Sequence, residues 1–269
     1  MDNQAHENIR LPEPANRIIL LGASNLTLSL RLIIQLMQQR CGGPSEIWVA
    51  AGHGRAYGQF SQILMRGLPG IAASGLWAQL DSTEPRPTYA LLTDIGNDIL
   101  YGSAPEQILT WLGWCIEQLQ KQSAYIVVTN LPMASIECLS EARYTFFRNI
   151  FYPFCRLSRD ETVSRARAVH RGLTDMASRL HFKLYEQEPV WFGLDGIHVN
   201  YWQRKALYRH IFEQFPLPSD RQACVEGKQE FLLTWQRRPK FSDKTVLGYK
   251  IHCQQPSGQL ADGSSVCKY

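Results

Sequence analysis

The sequence predicts an α/β fold: a doubly wound, five-stranded parallel sheet with helices on both faces, followed by a short C-terminal extension. Three observations predict it. Short β-branched or aliphatic runs alternate with longer stretches whose apolar residues recur at helical spacing. The runs are continuously apolar, as strands buried on both faces of a parallel sheet must be. Strands separated by helices at this spacing close by right-handed crossovers, which lay helices over both sides of one sheet.

Residues 1–16, polar and ending in Pro12 and Pro14, read as a flexible arm. Residues 17–21 (RIILL) are the first strand. Residues 24–39 carry apolar side chains at 26, 30, 33, 34 and 37, one face of a helix that Gly42 and Gly43 stop. A second strand spans 46–51 (EIWVAA) and runs into a glycine-containing loop; a third spans 89–93 (YALLT). Ser103 with Glu106 has the spacing of a capping box, opening a helix through Gln120 with Ile108, Leu109, Leu112 and Ile116 on its apolar face. The fourth strand is 125–129 (YIVVT), ended by Pro132. A stretch rich in aromatics follows, then a helix over 161–180 and a fifth strand over 182–185. Asn200 with Gln203 caps a last helix through Phe215, which Pro216 and Pro218 terminate.

The expected organisation is an arm (1–16), one α/β domain of flavodoxin-like layout (17–217) and an extension (218–269). In the extension, residues 245–254 alternate in places. The turn Pro256-Ser257-Gly258 would join them to a second strand ending near Val266, a hairpin packed on the body or on a partner subunit. A homo-oligomer is therefore one open expectation.

Composition narrows the function classes. The net charge of +4 is small for 269 residues, and no block of five like charges occurs, so a nucleic-acid partner is not expected. Arg237, Arg238 and Lys240 read as a solvated loop. The seven cysteines (41, 115, 138, 155, 224, 253 and 267) form no C-x-x-C pair and no zinc-spaced Cys/His set, so no metal and no cofactor are expected, and reduced thiols fit a cytoplasmic setting. The polar start lacks the apolar core of a signal peptide, and no window is apolar enough to span a bilayer.

Ligands of such sheets bind outside the carboxyl ends of the strands, which points just after residues 21, 51, 93 and 185. Gly22-Ala23-Ser24-Asn25 follows the first strand, and taken alone Ser24 reads best as a helix N-cap. Gly52-His53-Gly54-Arg55, with Gly58 beyond, follows the second and alone marks a turn. Gly96-Asn97-Asp98 follows the third and alone is a turn tripeptide. Asp195-Gly196-Ile197-His198 follows the fifth, where either polar residue could serve a loop. Together they place a hydroxyl, an imidazole with a carboxylate three residues away, and amide donors on one edge. Acyl transfer through a serine requires that set.

These blocks, in this order, resemble those of the SGNH/GDSL hydrolases. Gly22-Ala23-Ser24 is similar to the first block, with Ala23 where the family has Asp. Gly54-Arg55 is similar to the second and Gly96-Asn97-Asp98 to the third, with Ile95 where the family has glycine. Asp195-x-x-His198 matches the last. The resemblance covers roughly residues 17–215. It implies an esterase with Ser24 as nucleophile, His198 as base and Asp195 as its partner, the oxyanion being held by the amides of Ser24 and Gly54 and the side chain of Asn97.

His53 and Arg55 are candidate substrate contacts, with exposed loop positions as the equal alternative. Asp94 is a candidate for orienting a neighbouring loop. The aromatics Tyr144, Phe146, Phe147, Phe151, Tyr152 and Phe154 read first as core packing and second as a lid or acyl wall. The expected substrate is a small-molecule ester, an acylated carbohydrate or a lipid, with short acyl or acetyl groups favoured. An O-acyltransferase and an inactive binding protein of the same fold are the alternatives.

Overall fold

The computed structural model describes residues 13–63, 65–218 and 233–269. Most of the expected arm and residues 219–232 lie outside them. The five expected strands form as β1 (Asn16–Gly22), β2 (Ser45–Ala51), β5 (Thr88–Leu92), β6 (Tyr125–Thr129) and β7 (Lys183–Tyr185), all parallel and ordered β7-β6-β5-β1-β2. Alternate residues of each strand feed two cores. Ile19, Leu21, Trp48 and Leu92 face one side; Ile18, Leu20, Val49 and Leu91 face the other. That two-sided burial is why these runs are apolar without alternation.

On one face lie α1 (Ser24–Cys41) and α8 (Arg204–Phe212). On the other lie α2 (Leu76–Asp81), α4 (Pro105–Lys121) and α7 (Arg159–Leu180). Leu26, Leu30, Ile33, Ile34 and Met37 of α1 are buried as their spacing predicts, and Gly42 ends the helix at φ 94°, where a β-carbon would be strained. The short helices α3 (Asn97–Leu100), α5 (Met133–Glu137) and α6 (Glu141–Phe151) stand over the carboxyl edge of the sheet.

Several local expectations are corrected. The cap of α4 is Ala104, not Ser103: the Ala104 N–H donates to Gln107 Oε1, and the Ser103 hydroxyl accepts from Gln59 instead. Asn200 caps a 3-10 turn (Tyr201–Gln203), α8 begins after it, and the helix ends at Phe212.

The main sheet has eight strands, not five. The extension adds β12 (Ser265–Lys268), parallel to β2, then β11 (Gly258–Leu260) and β8 (Trp235–Arg237), both antiparallel. Residues 245–254 do not pair with the strand near Val266. They turn back on themselves at Leu247-Gly248, as β9 (Asp243–Val246) and β10 (Tyr249–His252), because Gly248 at φ 84° supplies the hairpin. β9 then joins β3 (Ser61–Ile63) and β4 (Arg66–Leu68) from the loop after β2, giving a second, four-stranded sheet beside the carboxyl edge.

Candidate active site

Ser24 opens α1 directly after β1, and His198 lies in the loop after β7. The Ser24 Oγ is 2.9 Å from His198 Nε2, and His198 Nδ1 is 2.5 Å from Asp195 Oδ2. Asp195 Oδ1 accepts the backbone N–H groups of Ile197 and His198 at 3.2 and 2.9 Å, so one tight turn, with Gly196 at φ 72°, holds carboxylate and imidazole in register. The half-buried pair shifts in opposite directions. Burial works against the charged ring of His198, but the Asp195 hydrogen bond and charge, aided by Asp94, outweigh it and raise the pKa above 6.5. Burial likewise pushes Asp195 up, yet its bonds to His198 and Ile197 bring it below 3.8.

Asp94, left open by the sequence, anchors the start of the helix that carries Ser24. Its Oδ2 accepts from the amides of Ala23 (2.9 Å) and Leu26 (3.1 Å), and its Oδ1 accepts from Asn25 Nδ2 (2.9 Å). It therefore caps the helix that carries Ser24, from the loop after β5. Asn25 completes a bridge: its Nδ2 also donates to the Ile197 carbonyl, and its Oδ1 accepts from the Val199 amide, both at 2.9 Å. The helix of Ser24 and the loop of His198 are thus tied through one buried side chain. Asn25 was invisible to the sequence reading because its partners are 172 and 174 residues distant.

Asn97 lines the same cavity as Ser24. Its Oδ1 accepts from the buried Tyr152 hydroxyl at 2.7 Å, and one Nδ2–H goes to the Arg55 carbonyl at 2.9 Å, leaving the second N–H for the cavity. Asp98 is fully buried and accepts the amides of Tyr57 (2.7 Å), Gly58 (2.9 Å) and Gln59 (3.3 Å); burial raises its pKa against the pull of those bonds. It clamps the glycine-rich loop after β2. In that loop Gly54 has φ 64°, and a β-carbon at Gly58 would strike the Trp111 ring, so each glycine has a packing reason of its own.

Arg55 is corrected as a substrate contact. It is 0% exposed, with Nε on the Pro69 carbonyl at 3.1 Å and Nη1 on the Tyr269 carbonyl, so it props the loop from beneath. His53 is exposed. Its pKa is lowered by partial burial and by the charges of Arg66, His198 and Lys268.

A cavity of about 130 Å³ opens from Ser24 toward the β5–β7 side. Its wall includes Ile95, Leu131, Ile136, Leu139, Phe147 and Phe151. The aromatic stretch therefore divides: Tyr144 and Tyr152 are buried, while Phe147 and Phe151 stack at 6.1 Å on the cavity wall and Phe151 meets the His198 ring edge-on at 5.4 Å. Phe154 is 91% exposed, so core packing does not describe the whole segment. Among the described residues no cluster of His, Cys, Asp or Glu could hold a metal ion, and no helix is long and apolar enough to cross a membrane.

A serine–histidine–aspartate relay at the carboxyl edge of a doubly wound sheet is the arrangement of the SGNH-hydrolase fold. The fold is similar to that of a solved structure. The native aryl esterase of M. smegmatis superposes with a TM-score of 0.51 at 16% identity, over 74% of this chain and 98% of the other. The esterase EstA of Pseudoalteromonas sp. gives 0.44 at 16%, over 74% and 94%. A lipolytic G-D-S-L family protein of Veillonella parvula gives 0.43 at 13%, over 73% and 95%. At 16% identity the likeness to the aryl esterase is one of fold alone. No family profile matches the chain, and no curated protein matches it in sequence.

Proposed function

We propose that this protein hydrolyses carboxylic esters through a covalent acyl-enzyme on Ser24. The observation that carries the reading is the continuous Ser24–His198–Asp195 hydrogen-bond chain, with links of 2.9 and 2.5 Å. The neutral His198 ring donates from Nδ1 to Asp195 and accepts the Ser24 hydroxyl proton at Nε2 as Oγ attacks the carbonyl carbon. The C–O bond to the alcohol then breaks, and His198 returns the proton to the leaving alkoxide. Water repeats the sequence on the acyl-enzyme, releasing the acid and freeing Ser24.

The oxyanion is received by the Ser24 amide at the positive end of α1, by the free Nδ2–H of Asn97 and by the Gly54 amide. One such donor is typically worth about 10²–10³ in rate, or roughly 3–4 kcal/mol. Tyr152, Asn25, Asp94 and Asp98 are positioning residues. The apolar wall of Phe147, Phe151, Leu131 and Ile136 suits an acyl chain, with short acyl esters as the minimal substrates. The M. smegmatis protein of like fold is an aryl esterase, which accords with this chemistry.

The test is turnover of p-nitrophenyl butyrate together with fluorophosphonate labelling, in wild type and in Ser24→Ala. Wild type is expected to turn over and to label; the variant is expected to do neither. A folded wild type that does neither overturns the reading.

A further inference from the structure

The catalytic serine stands between two unlike surroundings. The apolar cavity lies on the β5–β7 side: its lining comes from residues 94–100, 131–152, 162–166 and 187–197 together with Ser24 and Asn25. On the other side the sheet continues from β1 to β2 and β12. There the C-terminal extension and the second sheet bring cations together. Lys268, at the end of β12, and Arg66, in β4, lie over the same buried Phe241 ring, at 4.2 and 5.2 Å from its centroid. The Arg66 guanidinium also approaches Gly52, the first residue after β2: a β-carbon there would lie 3.7 Å from Nη2.

Arg55 lies beneath, fully buried, with Nε and Nη1 bonded to carbonyls and Nη2 without a partner. The Arg66 Nε is also buried and unpartnered. Among the described residues neither Arg66 nor Lys268 forms an ion pair with any carboxylate. Burial, Arg66, Arg55 and Lys244 together hold the Lys268 ammonium down to about 8. Cationic charge gathered in this way costs stability unless something of opposite sign binds it.

We infer that Arg66 and Lys268, backed by Arg55, form an anion subsite for the alcohol portion of the substrate, and that the substrate is an acyl ester of a phosphorylated alcohol. This rests on the esterase reading for the position of the scissile bond. Two features favour a phosphomonoester. Several cations converge, matching a dianion better than a single carboxylate, and three phosphate oxygens can meet donors arriving from different strands. The reach also fits. β12 is two strands from β1, so the subsite lies on the order of 10 Å across the sheet from Ser24, and the long Arg66 and Lys268 side chains shorten that gap. His53 is within electrostatic range of His198, Arg66 and Lys268. The acyl chain would then fill the apolar cavity while the phosphate sits over Gly52, which leaves the ester carbonyl above Ser24.

The test compares monooctanoylglycerol with 1-octanoylglycerol 3-phosphate, following octanoate release. Wild type is expected to favour the phosphate ester at least tenfold in kcat/KM. Arg66→Gln and Lys268→Gln are each expected to cut that ratio about tenfold, chiefly through KM for the phosphate ester. A second measurement does not depend on catalysis: calorimetric titration of inorganic phosphate and of glycerol 3-phosphate into Ser24→Ala. Both are expected to bind, with affinity that falls as salt rises and is lost in the Arg66→Gln background. No binding overturns the subsite. Phosphate binding without discrimination between the two esters overturns its role in substrate recognition. Phosphate binding by Ser24→Ala, together with a folded wild type that fluorophosphonate fails to label, supports the anion site and sinks the esterase reading instead.

Discussion

Replacing Asp94 tests the idea that Ser24, the proposed nucleophile, is held from the loop after β5. Asp94→Ala removes three hydrogen bonds to a carboxylate: those from the Ala23 and Leu26 amides and from Asn25 Nδ2. Bonds to an ionised acceptor are worth about 1.5–3 kcal/mol each, but water reaches this half-buried site and recovers part. Loss of a helix cap alone costs about 0.5–2 kcal/mol, so a total of roughly 2–4 kcal/mol is expected. For a chain of this length that is a fall in Tm of roughly 5–15 °C, read by circular dichroism. Asp94 also sits at φ 57°, where a side chain carries strain. Asp94→Gly lacks the carboxylate but relieves about 1 kcal/mol of it, and should melt above Asp94→Ala.

Activity should fall further than stability does. Without Asp94, Asn25 loses one of the partners that orient it, and with it goes the bridge to Ile197 and Val199. We expect kcat for p-nitrophenyl butyrate to drop at least tenfold at a temperature where the variants are folded. The Asp94 charge also helps raise His198, so the acid limb of the pH profile should move to lower pH in Asp94→Asn. An Asp94→Ala protein that melts with wild type and keeps its kcat would refute the reasoning. So would alanine and glycine variants of equal stability.

Four further outcomes are expected. In wild type the base must be neutral, so kcat/KM should rise with pH and reach half its maximum above 6.5, the ordinary histidine value. The same shift stabilises the fold: its contribution is full below pH 6.5 and is lost as pH rises through the raised value, while that of Asp195 is present above 3.8 and lost as pH falls, which pH-dependent denaturant titrations of wild type and His198→Gln will resolve. Tyr152→Phe removes only the hydroxyl that fixes Asn97, so kcat should fall about tenfold with a stability loss of about 1 kcal/mol; an unchanged kcat would remove Tyr152 from the positioning role. Phe147→Ala should shift preference between butyrate and octanoate esters, and an unchanged preference with lower stability would make that ring mere packing.

The sequence by itself determined the five parallel strands, because two-sided burial leaves a continuous apolar run that composition alone reveals. It also determined which loops share an edge, since crossover handedness fixes that once the strands are known, and Ser24, Asn97, Asp195 and His198 do gather there. What it could not determine is what depends on partners distant in the chain. Ser24 reads as its own N-cap until Asp94 takes that role across β5, and Asn25 reads as an ordinary polar helix residue until the histidine loop closes over it. Arg55 looks like a loop contact until the Tyr269 carbonyl is seen beneath it. The extension showed only a weak alternation, because short strands at a sheet margin carry little pattern of their own. Tertiary structure alone decided that β12 would pair with β2 and that Lys268 and Arg66 would meet over Phe241. Such pairings are chosen by what each edge leaves unsatisfied once the core has formed, and no local window of sequence contains both sides of that choice.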